Sequence, residues 1–288
     1  MPRFEVFCPA APPALPVDVT LRVEAEHWLA ALKAGLQKVG GRQMSTSVLC
    51  DIQADGSIHV TDPRGGGVFR IQELRAEPAA VLPRPREAED PSTPGALRAP
   101  SAQGERAIGV RGRIGRAPGA PSAADVLAEL FERVAEISGQ KDTKSALGFL
   151  LDLAMEKVEA EAGSVFLARL AGRELEFAVA RGPRAKALLA LGASVPVGAG
   201  IVGFCAQEDV CLAVSDAEKD PRFQRAISEA IGYETRSLLC APIARKGRVL
   251  GALEVMNKRG GAPFDERDLA IVSYLAHQAA EALAGGEE

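Results

Sequence analysis

Between residues 123 and 137 the apolar side chains Val126, Leu127, Leu130, Phe131, Val134 and Ile137 recur at three- and four-residue spacing. That spacing predicts an amphipathic helix, with Ser122 as N-cap and Asp125 at the position that returns the bond. The run "TKSALGFLLDLAMEKVEAE" predicts a second helix, with Thr143 near its start. Nearer the N-terminus, "EAEHWLAALKAGLQKVGG" places Trp28, Leu29, Leu32 and Leu36 on one face, and the glycine pair at 40–41 ends it. Elsewhere the period drops to two. "RFEVF", "VDVTLRV" and "GGGVFRIQEL" read as strands, and "STSVLCDIQADGSIHVTD" alternates about Ala-Asp-Gly-Ser as a β-hairpin. Further along, "AGSVFLARL" and "ELEFAVA" predict two strands joined by a tight turn at Gly172. A short helix "IVGFCAQ", the strand "CLAVS", a helix over about 222–231, the strands "SLLCAPI" and "VLGALEVMNK", and a helix from Glu266 to about Leu283 complete the pattern. Strands come in hairpins and helices sit at the ends of runs, so the fold class is α+β rather than a series of βαβ units.

Residues 72–122 interrupt this periodicity with eight prolines, six glycines and eight arginines. Such a stretch buries too little side chain to offset the ordering of its backbone, and it reads as a flexible linker. The chain therefore divides into a small α/β domain over 1–75, a Pro/Gly/Arg-rich linker over 76–122 and a larger domain over 123–285. The patch "VRGRIGRAPG" in the linker reads as a solvated tether in preference to a nucleic-acid contact. Gly65–Gly67 has no Lys-Ser/Thr after it, so it reads as a hairpin connection and not a phosphate loop.

Composition narrows the class further. Apolar residues are 47% and charged residues 25% of 288, with a formal net charge of −4, which gives no strong pull toward nucleic acid or membrane lipid. No run of 18 apolar residues appears, and the N-terminus does not read as a signal peptide. Five cysteines at 8, 50, 205, 211 and 240 form no CxxC and no zinc spacing, as expected of reduced thiols in a cytoplasmic protein. The histidines at 27, 59 and 277 fall in separate elements, and none is spaced with Cys, Ser and an acid as a nucleophilic site would be. No catalytic or metal-binding residue is assigned, and the expectation is a protein that is not an enzyme.

The stretch "LEVMNKRGGAPFDERDL", 253–269, carries the densest local signal. Asp265 fits the N-cap of the last helix, Asp268 the N3 position, and Phe264 and Leu269 the two sides of a hydrophobic staple. Lys258 ends the preceding strand within reach of Asp268, and Asn257 suits a turn that bonds backbone groups. These same residues, Asn257, Lys258, Phe264 and Asp268, resemble the Asn-Lys-Phe-Asp-Glu signature of GAF domains, the small-molecule sensing modules of phosphodiesterases, cyclases, histidine kinases and bacterial regulators. Leu269 stands where the signature has its final acid. "VPVGAGIVGFCAQ", "AVSDAEKDPRFQ" and "IGYETRSLLCAPIARKGRVLGALEVMNK" resemble successive GAF blocks in the same order. The resemblance covers about 123–285. It implies a central antiparallel sheet of about six strands, helices backing one side, a ligand pocket on the other, and terminal helices that pair two subunits as a homodimer.

The pocket implied by position lies between the "SVFLARL" strand, the helix after Gly200, the loop at 216–224 and the start of "TRSLLCAPI". Gly198 and Gly200 either form a tight turn or open a helix N-terminus to an anion such as a cyclic phosphate. Phe204 either lines the pocket or fills the core. Ser215 and Asp216 end a strand beside the ligand loop, and Asp216 equally serves as a cap. Asp220 and Pro221 fit the N-cap and first turn of the next helix, whose Phe223 either stacks on a base or staples the helix. Tyr233, Thr235 and Arg236 complete the ligand candidates. The implied function is a sensor of a small molecule, with a cyclic nucleotide as the candidate ligand and a separate signalling protein as the recipient. The alternative is a dimerisation or docking module without ligand. A third and weaker reading is a methionine sulfoxide reductase using Cys205 and Cys211. An enclosed cavity with convergent polar groups separates the first reading from the second, which calls for a filled pocket and an exposed apolar patch.

Overall fold

A computed structural model describes residues 1–74 except 14, 41, 42 and 66, and residues 123–285 except 170–172. The linker, Ser122 as N-cap and the turn at Gly172 lie outside the described residues. By its internal contacts the chain divides into two compact units, one formed by Met1–Arg75 with Phe131–Glu288 and the other by Ala76–Leu130. The described part of the second is the start of α2 (Ala123–Ala135).

The first unit is built on one sheet of eleven strands, not about six. Six come from the C-terminal segment: β6 (Ala160–Ala168), β7 (Glu174–Arg181), β8 (Ser194–Pro196), β9 (Cys211–Val214), β10 (Leu238–Arg245) and β11 (Arg248–Lys258). Five come from the N-terminal segment: β1 (Arg3–Cys8), β2 (Val19–Glu24), β3 (Ser47–Ile52), β4 (Ile58–Thr61) and β5 (Val68–Leu74). Every strand falls on a stretch read as a strand from the sequence, apart from the three-residue β8. The order is β2-β1-β5-β4-β3-β9-β10-β11-β6-β7-β8. All neighbours are antiparallel except β3 and β9, which run parallel with Val48 opposite Leu212 and Cys50 opposite Val214. The sheet is therefore mixed. The antiparallel pairing expected of the C-terminal segment holds among its six strands, and the parallel join to β3 went unforeseen because local periodicity carries no mark of a pairing between strands so far apart in the chain.

Helices cover both faces of this sheet. On one, α3 (Thr143–Lys157) packs on β6 and β7 and against α7 (Glu266–Gly285), which lies on β10 and β11. Thr143 opens α3 as expected, and Asp142 caps it, its Oδ1 accepting from the Ser145 amide at 2.7 Å. On the other face sit α1 (Trp28–Lys38) over β1, β2 and β5, and α5 (Gly200–Glu208) over β8, β10 and β11. Helix α4 (Ala185–Leu191) packs on β7 and touches α6 (Arg225–Ile231). The α4 stretch is only seven residues long, too short for a helical period to declare itself.

One apolar core runs along the α1–α5 face, joining Trp28, Leu29 and Leu32 of α1 to Phe204 and Cys205 of α5 and to Val214 and Cys240 of the sheet. The Trp28 and Phe204 rings stack with centroids 5.9 Å apart. Polar contacts tie the same two helices: Glu208 of α5 meets Lys33 Nζ at 2.9 Å and His27 Nε2 at 3.2 Å. Burial pushes the Glu208 carboxyl up, but the Lys33 hydrogen bond and charge, with His27, outweigh it and hold the group below its usual range. His27 also caps α1, its Nδ1 accepting from the Ala30 amide at 3.2 Å.

Candidate functional site

A cavity of about 80 Å³ lies between the sheet and α6. Its floor is formed by Phe166 of β6, Phe177 of β7, Leu238 of β10 and Glu254 with Met256 of β11. Ile201 and Val202 of α5 form one wall. Ile227, Ser228 and Ile231 of α6 close it from above, flanked by Phe223, Gln224, Tyr233 and Thr235. No residue of α6 is fully buried, so this seven-residue helix is a thin lid. The aromatic pair on the floor depends on an irregularity. Register shifts between Val165 and Phe166, which sets Phe166 opposite Phe177 with ring centroids 4.3 Å apart.

Glu254 is the chemical centre of this cavity. It stands mid-strand, paired in register with Ser164 on one side and Cys240 on the other. Its side chain is 8% exposed, and Ser164 Oγ at 3.4 Å is a long hydrogen-bond partner. Burial drives its pKa up to about 7, with the Ser164 bond pulling only weakly the other way. Such a carboxyl sits near the midpoint of its titration at neutral pH and presents acceptor oxygens to whatever enters the cavity. Thr235 adds a buried hydroxyl, 3.4 Å from Ser228 Oγ across the lid.

The signature residues form a clamp beside the cavity. Asn257 is buried and sits at φ 56, in the left-handed region that asparagine tolerates. Its Oδ1 accepts from the Arg236 amide at 2.8 Å and the Ser237 amide at 3.3 Å, while Nδ2 donates to Tyr233 Oη at 3.0 Å and Glu234 O at 2.8 Å. One side chain thus fixes the end of β11 to the segment that carries Tyr233 and Thr235. Lys258 Nζ bonds Asp268 Oδ2. Asp268 Oδ2 also accepts from the Asp265 amide at 2.9 Å, and Asp265 Oδ1 returns the bond from the Asp268 amide at 3.0 Å. This is a reciprocal capping box at the start of α7, with Phe264 and Leu269 both buried. Burial raises the Asp268 pKa, and the Lys258 contact opposes that rise.

Of the ligand candidates named from sequence, Phe223, Tyr233 and Thr235 line the cavity. The others are placed elsewhere. Gly198 and Gly200 adopt φ 91 and 66, so the turn before α5 requires them on backbone grounds alone. Phe204 faces His27 and Trp28. The Ser215 amide bonds Cys50 O at 3.4 Å, beside the β3–β9 pairing. Asp216 pairs with Lys219 at 2.7 Å, and Arg236 with Glu161 at 3.0 Å. Asp220 does not cap a helix at 222. It binds the Arg222 amide at 2.9 Å and the Arg222 guanidinium at 2.8 and 2.5 Å, and α6 begins three residues later, at Arg225. Sequence reasoning passed over Glu254, whose signal was a lone acid in the apolar run "GALEVM".

A sheet with paired helices behind it, a lidded cavity in front and a Lys–Asp clamp at the last strand defines a sensory-type α+β domain. Comparison with known proteins gives the family. Residues 142–283 match the GAF domain family model, and the C-terminal half of the chain is a GAF domain. The GAF domain of a phosphoenolpyruvate-protein phosphotransferase from Coxiella burnetii superposes with a TM-score of 0.52 at 21% identity, over 58% of this chain and 97% of that one. A free methionine-R-sulfoxide reductase from Neisseria meningitidis, solved with its substrate, gives 0.49 at 21% identity over 59% and 94%. Among curated proteins, the cGMP-specific 3',5'-cyclic phosphodiesterase of Drosophila melanogaster is 38% identical over 79 residues, 27% of this chain. The matched segment is 7% of that relative's length.

Proposed function

We propose that this chain is a non-enzymatic regulatory protein whose GAF cavity senses a small molecule and whose signal passes to a separate partner protein. The observation that carries this reading is the buried Glu254 carboxyl on the floor of a lidded apolar cavity, with Thr235, Ser228 and Tyr233 around it. Mostly apolar walls with a few convergent polar groups are what ligand recognition requires. Near the midpoint of its titration the Glu254 carboxyl accepts in its ionised form and donates one O–H in its protonated form, so a ligand that offers N–H groups selects the ionised form. Guanine carries such donors, and the likeness to a cGMP-specific phosphodiesterase points to the same base. A cyclic guanine nucleotide is therefore the first candidate. Its phosphate would lie toward the N-terminal turn of α5, which contributes Ile201 and Val202 to the wall.

At about 80 Å³ the cavity is far smaller than the roughly 300–1,000 Å³ of ordinary small-molecule clefts. Binding a nucleotide thus requires α6 to lift, which makes lid position the signal. Calorimetry with cGMP, cAMP and GMP tests the reading. Saturable binding of cGMP, lost in Glu254→Ala, supports it. No binding, together with no co-purified ligand by native mass spectrometry, abandons it.

The cysteines give little support to reductase chemistry. Burial pushes the Cys211 thiol well up, and its Sγ faces Leu269 O at 3.9 Å on the α7 side of the sheet. A thiol held protonated in this way is a poor nucleophile. The docking alternative rests on Phe131, which is 55% exposed and edge-on to Tyr274 of α7 at 5.3 Å. We take these rings as the centre of a homodimer seam, compatible with ligand sensing.

A further inference from the structure

The lid over the GAF cavity is tied more firmly at its ends than along its length. No residue of α6 is buried. Ser228 Oγ stands a long 3.4 Å from Thr235 Oγ1, and the Arg225 guanidinium donates to Glu218 O at 2.7 Å. Past the helix, Gly232 turns the chain at φ 62, and Asn257 fixes Tyr233 and Glu234. The other end is fixed by Arg222.

At Arg222 the chain makes a tight turn. The Phe223 amide donates to Asp220 O at 3.0 Å, and the Asp220 carboxylate accepts from the Arg222 amide at 2.9 Å. Phe223 lines the GAF cavity, whereas its neighbour Arg222 packs toward α1, with a side chain only 16% exposed. The guanidinium carbon is 4.4 Å from the centre of the Phe204 ring and 5.4 Å from that of Trp28. Both carboxylate oxygens of the fully buried Asp220 side chain bind the same group. Burial pulls the Arg222 pKa down, but the Asp220 hydrogen bond and charge outweigh it, so the guanidinium stays charged. The Cys50 thiol also bonds it. Burial pushes that thiol up to about 12, and the charge and hydrogen bond of Arg222 pull the other way.

Trp28 of α1 and Cys50 of β3 belong to the N-terminal segment, and α6 begins three residues after Arg222, at Arg225. A charged group enclosed by rings, a thiol and its own carboxylate leaves its seat only at a large cost. A change at α1 or β3 therefore reaches the lid through one short stretch of backbone.

We propose that the N-terminal segment governs the opening of the lid, and so the entry of ligand, with Arg222 as the positioning residue. Trp28 and Cys50 seat the guanidinium, and the seated guanidinium holds the entry to α6 over the cavity. The consequence for ligand entry rests on the sensing reading given above, whereas the clamp on the lid does not.

Amide exchange of the full chain without nucleotide tests the clamp. Trp28→Leu removes the ring and Cys50→Ala the thiol, and neither residue lines the GAF cavity. Each should speed exchange across 223–232 about tenfold. Leu36→Ala, which loses buried packing at the other end of α1, should leave exchange there unchanged. Association of cGMP carrying a fluorescent N-methylanthraniloyl group, followed by stopped flow, should quicken by the same factor in Trp28→Leu and Cys50→Ala. Absence of cGMP binding in every form, with lid exchange raised in both variants, removes the sensing reading and supports the clamp. Should Trp28→Leu fail to fold by circular dichroism, Cys50→Ala decides alone. The proposal is overturned by unchanged lid exchange in the folded variants, by an equal rise in Leu36→Ala, or by cGMP that binds the variants no faster than the unaltered chain.

Discussion

At Glu254 the protein holds a carboxyl in an environment that disfavours its charge, and this has a signed consequence for stability. In the unfolded chain the group ionises near its ordinary 4.5, and in the folded chain near 7. Between those values the folded state keeps a proton that the unfolded state has lost, so stability falls as pH rises through this window and the deficit persists above it. The shift corresponds to roughly 3 kcal/mol. Glu254→Gln should therefore stabilise the protein by about that amount at pH 8 and change little at pH 4, as read by urea unfolding at the two pH values. Equal effects at both would mean that burial does not raise the carboxyl's pKa.

Among the elements, the join of β11 to α7 depends on Lys258 and Asp268, whose side chains are 16% and 5% exposed. Removing one partner leaves the other nearly buried and uncompensated, which typically costs about 3–5 kcal/mol. Lys258→Ala and Asp268→Ala should each lower the melting temperature by several degrees and speed amide exchange in the first turn of α7. The double variant should cost much less than the sum of the two singles, because one contact is lost in both. Helices α2 and α7 carry a separate expectation. Phe131→Glu places a charge at the proposed seam, and sedimentation should then show a monomer where the unaltered chain is a dimer. A monomer for both removes the seam.

At the scale of the first unit, the N-terminal strands share a sheet with the GAF domain. β3 occupies the edge of β9, and α1 covers Phe204 with Trp28. Deleting residues 1–75 would leave the β9 edge unpaired and Phe204 bare, both recognised routes to aggregation. The truncated chain should express as a less soluble protein with a lower unfolding midpoint. A truncated chain as soluble and stable as the whole would mean that the β3–β9 pairing contributes nothing in solution.

The sequence by itself determined what repeats locally or closes over a few residues. Alternation, short apolar runs and the 3.6-residue period placed ten of the eleven strands and the longer helices. The run from Lys258 to Leu269 disclosed the capping box and the Lys–Asp pair, because Lys258, Asp265 and Asp268 lie within one turn and one helix start. What the tertiary structure alone decided were the parallel join of the distant strands β3 and β9, the register shift that brings Phe177 opposite Phe166, and the placing of Glu254 beneath a lid. Each is set by side-chain packing across the sheet, an energy that depends on three-dimensional neighbours and leaves no period in the chain.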